Sequence, residues 1–173
     1  MFLLRLAQPG DRQAVAEMIL ARCEWMEQRG MPSWRPSVDD LASQCDNPYG
    51  DVWVMEAPDG RIVARTTTQT QGPPWWTDKE RVEPALYLNT TVTHPDLRDH
   101  KLGTMIALWA VDRAAQLGLQ WARRDCLWPG LVRYYQTQGY ILVREVDRGK
   151  YRLYLLHRRA ERIDVPQVKT ETP

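Results

Sequence analysis

The sequence predicts a single mixed α/β domain whose central sheet has about seven strands. Its 173 residues are an ordinary length for one domain and are enough to bury a substantial core. Short runs rich in β-branched and aromatic residues alternate with segments in which apolar residues recur at helical spacing. Several neighbouring strands are separated only by hairpin-type turns. A repeating strand–helix–strand architecture is therefore excluded.

The first half of the chain begins with a strand and a helix. Gly30 can end that helix in the left-handed conformation. The apolar face of the helix is formed by Val15, Met18, Ile19 and Met26. Residues 71–84 are a polar, proline-rich loop. The elements predicted here are a strand over Met1–Leu6, a helix from Asp11 to Gly30, a short helix over Ser37–Gln44, and strands over Val52–Ala57 and Ile62–Gln69 joined by the turn Pro58–Arg61.

The second half continues the alternation. A long amphipathic helix carries its apolar face on Leu102, Met105, Ile106 and Trp109, and Gly118 ends it. The other predicted elements are strands over Ala85–Val92 and Leu119–Cys126, a short helix over Leu131–Gln138 closed by Gly139, and strands over Tyr140–Val146 and Lys150–His157. We predict that the strands over Ala85–Val92 and Leu119–Cys126 run parallel and diverge at their carboxyl ends. Residues 1–157 are then the folded domain, and residues 158–173 are a charged, loose tail.

Composition excludes several classes of protein. The formal net charge is +1, so bulk electrostatics favour neither nucleic acid nor an anionic membrane. No apolar run is long enough to span a bilayer, and the N-terminal segment lacks the features of a signal peptide. Cys23, Cys45 and Cys126 are widely spaced and contain no CxxC pair. We therefore expect a reduced, cytoplasmic protein without a metal site.

A polar loop between a strand and the long helix has the features of an anion site. His94-Pro95-Asp96 is turn chemistry, because Pro95 favours an extended conformation at His94. The loop from Arg98 to Gly103 leads into the helix and would aim free backbone N–H groups at one point. The positive end of the helix dipole lies at the same point. This arrangement is suited to holding a phosphate.

The same segment resembles the acyl-CoA-binding motif of the GNAT acyltransferases, Q/R-x-x-G-x-G/A. Arg98 and Gly103 match its ends, while Asp99, His100 and Leu102 fill its variable positions. Lys101 stands where the family usually has glycine. A lysine there adds a side chain, a strained φ and a positive charge that can meet a phosphate.

A second segment, LVRYYQTQGY, resembles the family's aromatic pair that leads through a short helix to a glycine and an aromatic residue. Tyr135, Gly139 and Tyr140 occupy the matching positions. RGMPSW resembles a segment of some bacterial members. The chain is thus identified as an actinobacterial-type member with an atypical acyl-CoA loop, and the resemblance implies a GNAT fold with helices on both faces of the sheet.

The resemblance implies a donor site for acetyl-CoA or another acyl-CoA. The backbone of the central strand would pair with the pantetheine arm, and one of its N–H groups would stabilise the oxyanion. Trp128 stands where many relatives have an asparagine that hydrogen-bonds the pantetheine arm. The residues implied to bind the donor are Thr91, Val92, Thr93, Arg98, Asp99, His100, Lys101, Leu102, Gly103, Thr104 and Trp128.

The catalytic roles follow by position in the same way. Tyr135 is the implied general acid for the leaving thiolate, although a tyrosine in a short amphipathic helix is also a common core residue. Glu83 is the nearby carboxylate of a type suited to abstracting a proton. Asn89 can orient a substrate or a water. Trp34, Trp75 and Trp76 fall in regions that wall the family's acceptor site, but loop aromatics also plug the rim of a small sheet.

Three functions remain open. The first is an acetyl-CoA-dependent N-acetyltransferase that acts on a small-molecule amine. The second is an acyltransferase whose donor is carried on the phosphopantetheine of an acyl carrier protein or on an aminoacyl-tRNA. The third is a GNAT-like domain that has lost catalysis and binds a ligand or partner. A homodimer is compatible with each of them.

Overall fold

A computed structural model describes residues 1–172 and confirms a mixed α/β fold with a mixed sheet of eight strands. The strands are Phe2–Leu6 (β1), Val52–Glu56 (β2), Ile62–Gln69 (β3), Ala85–Thr93 (β4), Trp121–Cys126 (β5), Ile141–Asp147 (β6), Arg152–Arg159 (β7) and Val168–Glu171 (β8). The α-helices are Arg12–Glu27 (α1), Val38–Ser43 (α2), Asp78–Val82 (α3), Leu102–Gln116 (α4) and Pro129–Gln136 (α5). Among the described residues, no helix is long and apolar enough to cross a membrane.

The chain divides into two compact units. Unit 1 consists of Met1–Thr67, Thr90–Gly103 and the residues from Pro166 onward. Its strand order is β3-β2-β1-β8, in which β1 pairs antiparallel with β2 and parallel with β8. The apolar faces of α1 and α2 pack against β2, β3 and Val92, which gives this unit its own core.

Unit 2 consists of Thr68–Asn89 and Thr104–Val165. Its strand order is β6-β7-β5-β4, with β4 and β5 parallel and the other neighbours antiparallel. One cluster of apolar side chains joins α4 and α5 to the sheet. A second cluster joins Trp75 and Trp76 to Tyr87 and Leu155. Successive residues of β4 are buried in different clusters, so the strand reads as a nearly continuous apolar run.

Two predicted segments differ from the structure. The loop predicted over residues 71–84 contains α3, whose N-cap is Thr77: its hydroxyl accepts a hydrogen bond from the Glu80 N–H. The tail predicted over residues 158–173 is partly structured. Strand β7 continues to Arg159, and β8 pairs with β1 in register from Phe2↔Val168 to Arg5↔Glu171. The alternation of Val168 and Thr170 with charged residues suits an edge strand, but four residues are too few to stand out in a charged segment.

Elsewhere, the observed ends of the elements differ from the predicted ends by one to three residues. Helix α5 starts at Pro129, two residues before its predicted start, because proline fits the first turn of a helix. Gly118 and Gly139 have φ of 71° and 79°, which confirms them as the left-handed residues after α4 and α5.

Candidate active site

Strand β4 changes character halfway along. It pairs with β5 in parallel from Ala85↔Trp121 to Leu88↔Arg124, as predicted. Two residues beyond the last paired position, Thr90 has a φ of 48°. A β-branched residue in the left-handed region is a steric outlier, and such outliers concentrate at functional sites. The predicted divergence of the two strands beyond this point stays a prediction.

The three strand residues predicted to bind the pantetheine arm follow that outlier in unit 1. Val92 is buried in the core under α1. The Thr91 and Thr66 hydroxyls are hydrogen-bonded at 2.9 Å. Arg22 donates from Nε to the Thr93 carbonyl oxygen at 2.8 Å and from Nη2 to the Thr93 hydroxyl at 2.7 Å. Thr93 is therefore fixed by an arginine of helix α1.

The loop between β4 and α4 is a 3₁₀ helix over Pro95–His100. The side chain of His94 caps it, because its Nδ1 accepts from the Asp96 N–H at 3.2 Å. The Lys101 N–H donates to the Arg98 carbonyl at 3.0 Å. Lys101 itself has φ 54° and ψ 48°. This confirms the strained φ expected there, in a conformation that glycine adopts without steric cost.

Side chains of the loop divide between solvent and core. Arg98, Asp99, His100 and Lys101 are exposed, and Leu102 is buried. The His100 ring lies edge-on to Phe2 at 5.9 Å. In unit 2, the hydroxyl of Thr104 bonds the Tyr134 hydroxyl at 2.7 Å and accepts from Gln138 Nε2 at 3.0 Å. The Thr104 side chain thus ties α4 to α5.

Three guanidinium groups surround one indole in unit 1. The guanidinium carbons of Arg29, Arg98 and Arg22 lie 3.9, 4.7 and 4.9 Å from the centre of the Trp25 ring. Burial, followed by the like charges of Arg98 and Arg29, lowers the pKa of Arg22. The sequence analysis missed this group, although Arg22, Trp25 and Arg29 recur at helical spacing. We call these four residues the Trp25 cluster.

Tyr135 is 8% exposed in unit 2. Its hydroxyl oxygen accepts from Arg124 Nη2 at 3.0 Å, and the Arg124 guanidinium carbon lies 3.7 Å from the ring centre. Burial raises the pKa of the phenol, and the positive charge of Arg124 opposes that shift. The phenol therefore keeps its proton at neutral pH and has its oxygen held by a donor, which leaves the proton to be donated.

Glu83 lies in a different environment from the one expected of a general base. Its two carboxylate oxygens accept from Trp121 Nε1 at 3.0 Å and from Arg123 Nη2 at 2.9 Å. The hydrogen bond from Trp121, with that from Arg123, lowers the pKa of Glu83. A carboxylate stabilised in its charged form is a weaker base. Its role as base stays a prediction, as does that of Asn89, which is half-buried in β4.

The predicted acceptor-site tryptophans differ in their surroundings. Trp34 is 37% exposed in unit 1. In unit 2, Trp76 is buried beneath the Arg123 guanidinium at 4.9 Å, and Trp75 is half-buried. Trp128 is 40% exposed at the start of α5. Trp34 and Trp128 therefore have surface available for a ligand, whereas Trp76 belongs to the core.

A carboxylate that the sequence analysis missed lies beside Trp75. Asp125 Oδ2 accepts from Trp75 Nε1 at 3.0 Å. Burial raises the pKa of Asp125, while the hydrogen bond from Trp75 and the positive charge of Arg124 oppose that shift; among residues 1–172, no cationic group lies within 4.0 Å of its carboxylate. The sequence offered one signal for this residue: Asp125 is a charged residue within the predicted strand β5, directly after Arg124 and therefore on the opposite face of the sheet. Burial of an unpaired carboxylate is costly, which marks Asp125 as a candidate for binding a cation.

In residues 1–172, no group of three or more His, Cys, Asp and Glu side chains is arranged to hold a metal ion. Solved structures of similar fold include several acetyltransferases. A GNAT-family acetyltransferase from Listeria monocytogenes superposes with a TM-score of 0.72 at 18% identity, over 91% of this chain and 94% of that one. A polyamine N-acetyltransferase from Drosophila melanogaster, which forms N-acetylagmatine, gives 0.63 at 16% identity, over 92% and 100% of the two chains.

A spermidine N-acetyltransferase from Vibrio cholerae gives a TM-score of 0.66 at 12% identity, over 92% of this chain and 94% of that one. No protein-family model matches the sequence, and no curated protein matches it either. At these identities the likeness concerns the fold, which is that of the GNAT acetyltransferases.

Proposed function

We propose that this protein is an N-acyltransferase that moves an acyl group, acetyl in the first instance, from a thioester donor to a small amine. The observation that carries the proposal is the β4–loop–α4 segment within a GNAT fold. It joins a left-handed Thr90, a capped 3₁₀ turn and a left-handed Lys101 at the family's glycine position.

Transfer of an acyl group to an amine needs an oriented donor, a stabilised oxyanion, a neutral amine and a proton for the thiolate. The C–N bond forms as the C–S bond breaks, and the proton that the amine loses passes to a base, a role for which Glu83 stays the candidate. We assign the first two to the backbone of Thr91–Thr93 and to the N–H groups from Arg98 to Thr104. We assign the proton to Tyr135. Its phenol carries a proton at neutral pH, since its ordinary pKa is about 10 and burial raises it further. Transfer of that proton to a leaving thiolate of pKa about 8.5 is uphill, and the positive charge of Arg124, which favours the phenolate, reduces that cost.

The acceptor proposed is a cationic amine. Several proteins of similar fold are named for polyamine, agmatine or spermidine substrates. This chain offers Asp125, a half-buried carboxylate that has one indole donor and, in the part of the chain described, no cationic group within 4.0 Å, Arg124 acting on it only from farther away. An ammonium group would supply the missing charge, and the Trp75 ring beside it suits a cation. We assign Asp125 to binding the acceptor.

The test is an assay of acetyl-CoA with agmatine, spermidine and an arylamine, with the acylated product identified by mass spectrometry. Tyr135→Phe keeps the ring and removes only the hydroxyl. We expect its turnover to fall by roughly 10²–10⁴ with little change in donor affinity. Turnover equal to that of the unaltered protein would leave Tyr135 as a core residue. Donor binding without acylation of any amine would favour a non-catalytic binding domain.

A carrier-bound donor is the second candidate, and the exposed Lys101 favours it because glycine usually stands there for close approach to the pyrophosphate. Under acyl-CoA use, Lys101→Ala should weaken CoA binding by about 1.5–3 kcal/mol, and pantetheine binding much less. Under carrier use, free CoA binds poorly even to the unaltered protein, and association with the acidic carrier weakens with salt. Equilibrium titration with CoA, pantetheine and an acylated carrier protein separates the two.

The cysteines bear on where the protein works. Because its three cysteines are buried and free, we also propose a reducing, cytoplasmic setting.

A further inference from the structure

The Trp25 cluster is held in place by the fold of unit 1. Arg22 and Trp25 are three residues apart on α1 and lie on one face of it. Arg29 lies in the turn just after the helix, and its guanidinium returns to the Trp25 ring. Arg22 is fixed to Thr93 at the end of β4 by two hydrogen bonds. Arg29 Nη1 donates to the Trp25 carbonyl at 3.0 Å. Arg98 reaches the same indole from the loop after β4.

The positive charge of this cluster has no protein counter-charge. None of its three arginines has a carboxylate within 4.0 Å among residues 1–172. Helical spacing places Glu24 and Glu27 on the other side of α1, and Glu27 is already paired with Arg35 at 2.8 Å. The three like charges repel each other, since, after burial, Arg98 and Arg29 both lower the pKa of Arg22, and an anion bound beside them relieves this repulsion.

We propose that Arg22, Arg29 and Arg98, held around Trp25, bind a phosphate group of the acyl donor. For its ligand, this inference rests on the proposed function.

Phosphate is the anion that best fits the arrangement. A guanidinium presents planar paired donors that match phosphate oxygens, and three of them match a group with several charged oxygens. Arg22 and Arg29 already donate hydrogen bonds to backbone carbonyls beside the Trp25 ring, so part of their side-chain freedom is lost before a ligand binds. Arg98 also begins the loop to which we assign the donor's pyrophosphate. The phosphate can therefore be the terminal 3′-phosphate of CoA or the pyrophosphate itself.

The experiment is calorimetric titration of the full chain with CoA and with dephospho-CoA, which lacks only the 3′-phosphate. The variants are Arg29→Gln and Arg98→Gln, both at exposed positions where folding is preserved. Arg61→Gln is the matched control, because it removes the same charge from an exposed turn of the same unit. We expect each cluster variant to bind CoA about tenfold more weakly or worse, as one lost charge-assisted hydrogen bond would cause. The control should stay within about twofold of the unaltered protein.

The two forms of the ligand identify the phosphate. A loss seen with CoA but not with dephospho-CoA assigns the cluster to the 3′-phosphate, whereas equal losses assign it to the pyrophosphate. CoA affinities within about twofold of the unaltered protein in both variants would overturn the proposal. If the unaltered protein binds neither form, the proposed donor fails, and inorganic phosphate becomes the probe. Binding of phosphate that Arg29→Gln weakens about tenfold then supports the site, and no binding overturns it.

Discussion

Arginine packs against tryptophan in both units, but the charges are balanced differently. In unit 2, the Arg123 side chain is 1% exposed among Trp76, Trp121 and Tyr87, and it is paired with Glu83 at 2.9 Å. In unit 1, three arginines surround Trp25 with no carboxylate partner among residues 1–172. In the first cluster the charge is balanced within the protein, although the buried Trp76 Nε1 and Arg123 Nε have no hydrogen-bond partner among residues 1–172. The second lacks an anion, which is the mark of a binding surface.

The largest expected effect comes from removing the counter-ion of Arg123 in unit 2. Glu83→Gln would leave the Arg123 charge buried without a counter-ion. Fully buried pairs lose about 3–5 kcal/mol when one partner is removed, and we expect about 2–3 kcal/mol here because the Glu83 side chain is 35% exposed. Urea unfolding measures the loss. Glu145→Gln is the control, since its pair with Arg152 is exposed on both sides and should cost under about 1 kcal/mol.

Acid should weaken the same cluster. The hydrogen bonds from Trp121 and Arg123 lower the pKa of Glu83 below its ordinary value of 4.5. The stability this contributes is therefore present above pH 4.5 and is lost as the pH falls through the lower, folded-state value. The stability difference between the unaltered protein and Glu83→Gln should narrow on acidification from about pH 6 to pH 3. If the stability difference stayed constant over that range, the ionised form of Glu83 would contribute nothing to the stability of the protein.

Asp125 extends the comparison to an unpaired anion. Asp125→Asn keeps an oxygen for the Trp75 N–H but removes the charge. We expect the KM for a cationic amine to rise about tenfold, as for one lost charge-assisted contact, while the KM for a neutral arylamine is unchanged. Steady-state kinetics on both substrates provide the measurement. Asp164→Asn, at an exposed position of the same unit, should change neither value.

Lys101 tests the loop that precedes α4. Its left-handed conformation costs a residue with a side chain about 1–2 kcal/mol, and glycine avoids that cost but loses about 0.5–1 kcal/mol of conformational entropy on folding. Lys101→Gly should therefore raise the free energy of unfolding by up to about 1 kcal/mol. Thermal unfolding would show this as a small rise in Tm. A destabilisation of about 1 kcal/mol or more would contradict the left-handed assignment.

The smallest effect is expected from the unpaired cluster without ligand. Arg98→Gln removes one of three like charges and leaves in place the hydrogen bond that Arg29 donates to the Trp25 carbonyl, so stability in low salt and without phosphate should rise by about 0.2–0.5 kcal/mol. Added salt should abolish the gain, because exposed charges are screened. Arg61→Gln instead breaks an exposed ion pair and should leave stability unchanged or slightly lower. Loss of stability on Arg98→Gln would mean that Arg98 stabilises the fold, as Arg123 does.

Much of the fold could be predicted because it depends on local patterns. The apolar periodicity of α1 and α4 and the glycines at 118 and 139 are local signals, and each corresponds to an observed helix or helix end. The motif of α3 was local too: Thr77 and Glu80 have the spacing of a capping box, but the surrounding prolines and aromatics favoured a loop. Strand β8 depends on pairing with β1, more than 160 residues earlier in the chain.

The candidate site was only partly predictable for the same reason. Lys101 could be identified as strained because the loop pattern specifies a backbone conformation residue by residue. The Trp25 cluster requires Arg98 to meet α1, and the pair of Trp75 and Asp125 joins residues 50 apart in sequence. Such contacts carry no spacing signal. Whether an arginine cluster has a neutralising carboxylate, the property that distinguishes the two clusters, can be determined only from the three-dimensional contacts.

The pairing of β8 with β1 has a consequence for handling the protein. An uncovered strand edge presents a row of N–H and C=O groups that can template aggregation. Strand β8 covers the edge of β1 and carries Lys169 and Glu171, whose charges oppose the addition of another strand. A version of the chain cut at Pro166 would expose β1, with Phe2 and Leu4 on it, and we expect it to precipitate on storage while the full chain stays dispersed. An affinity tag should therefore be added after β8 through a flexible linker, and β8 itself should be kept.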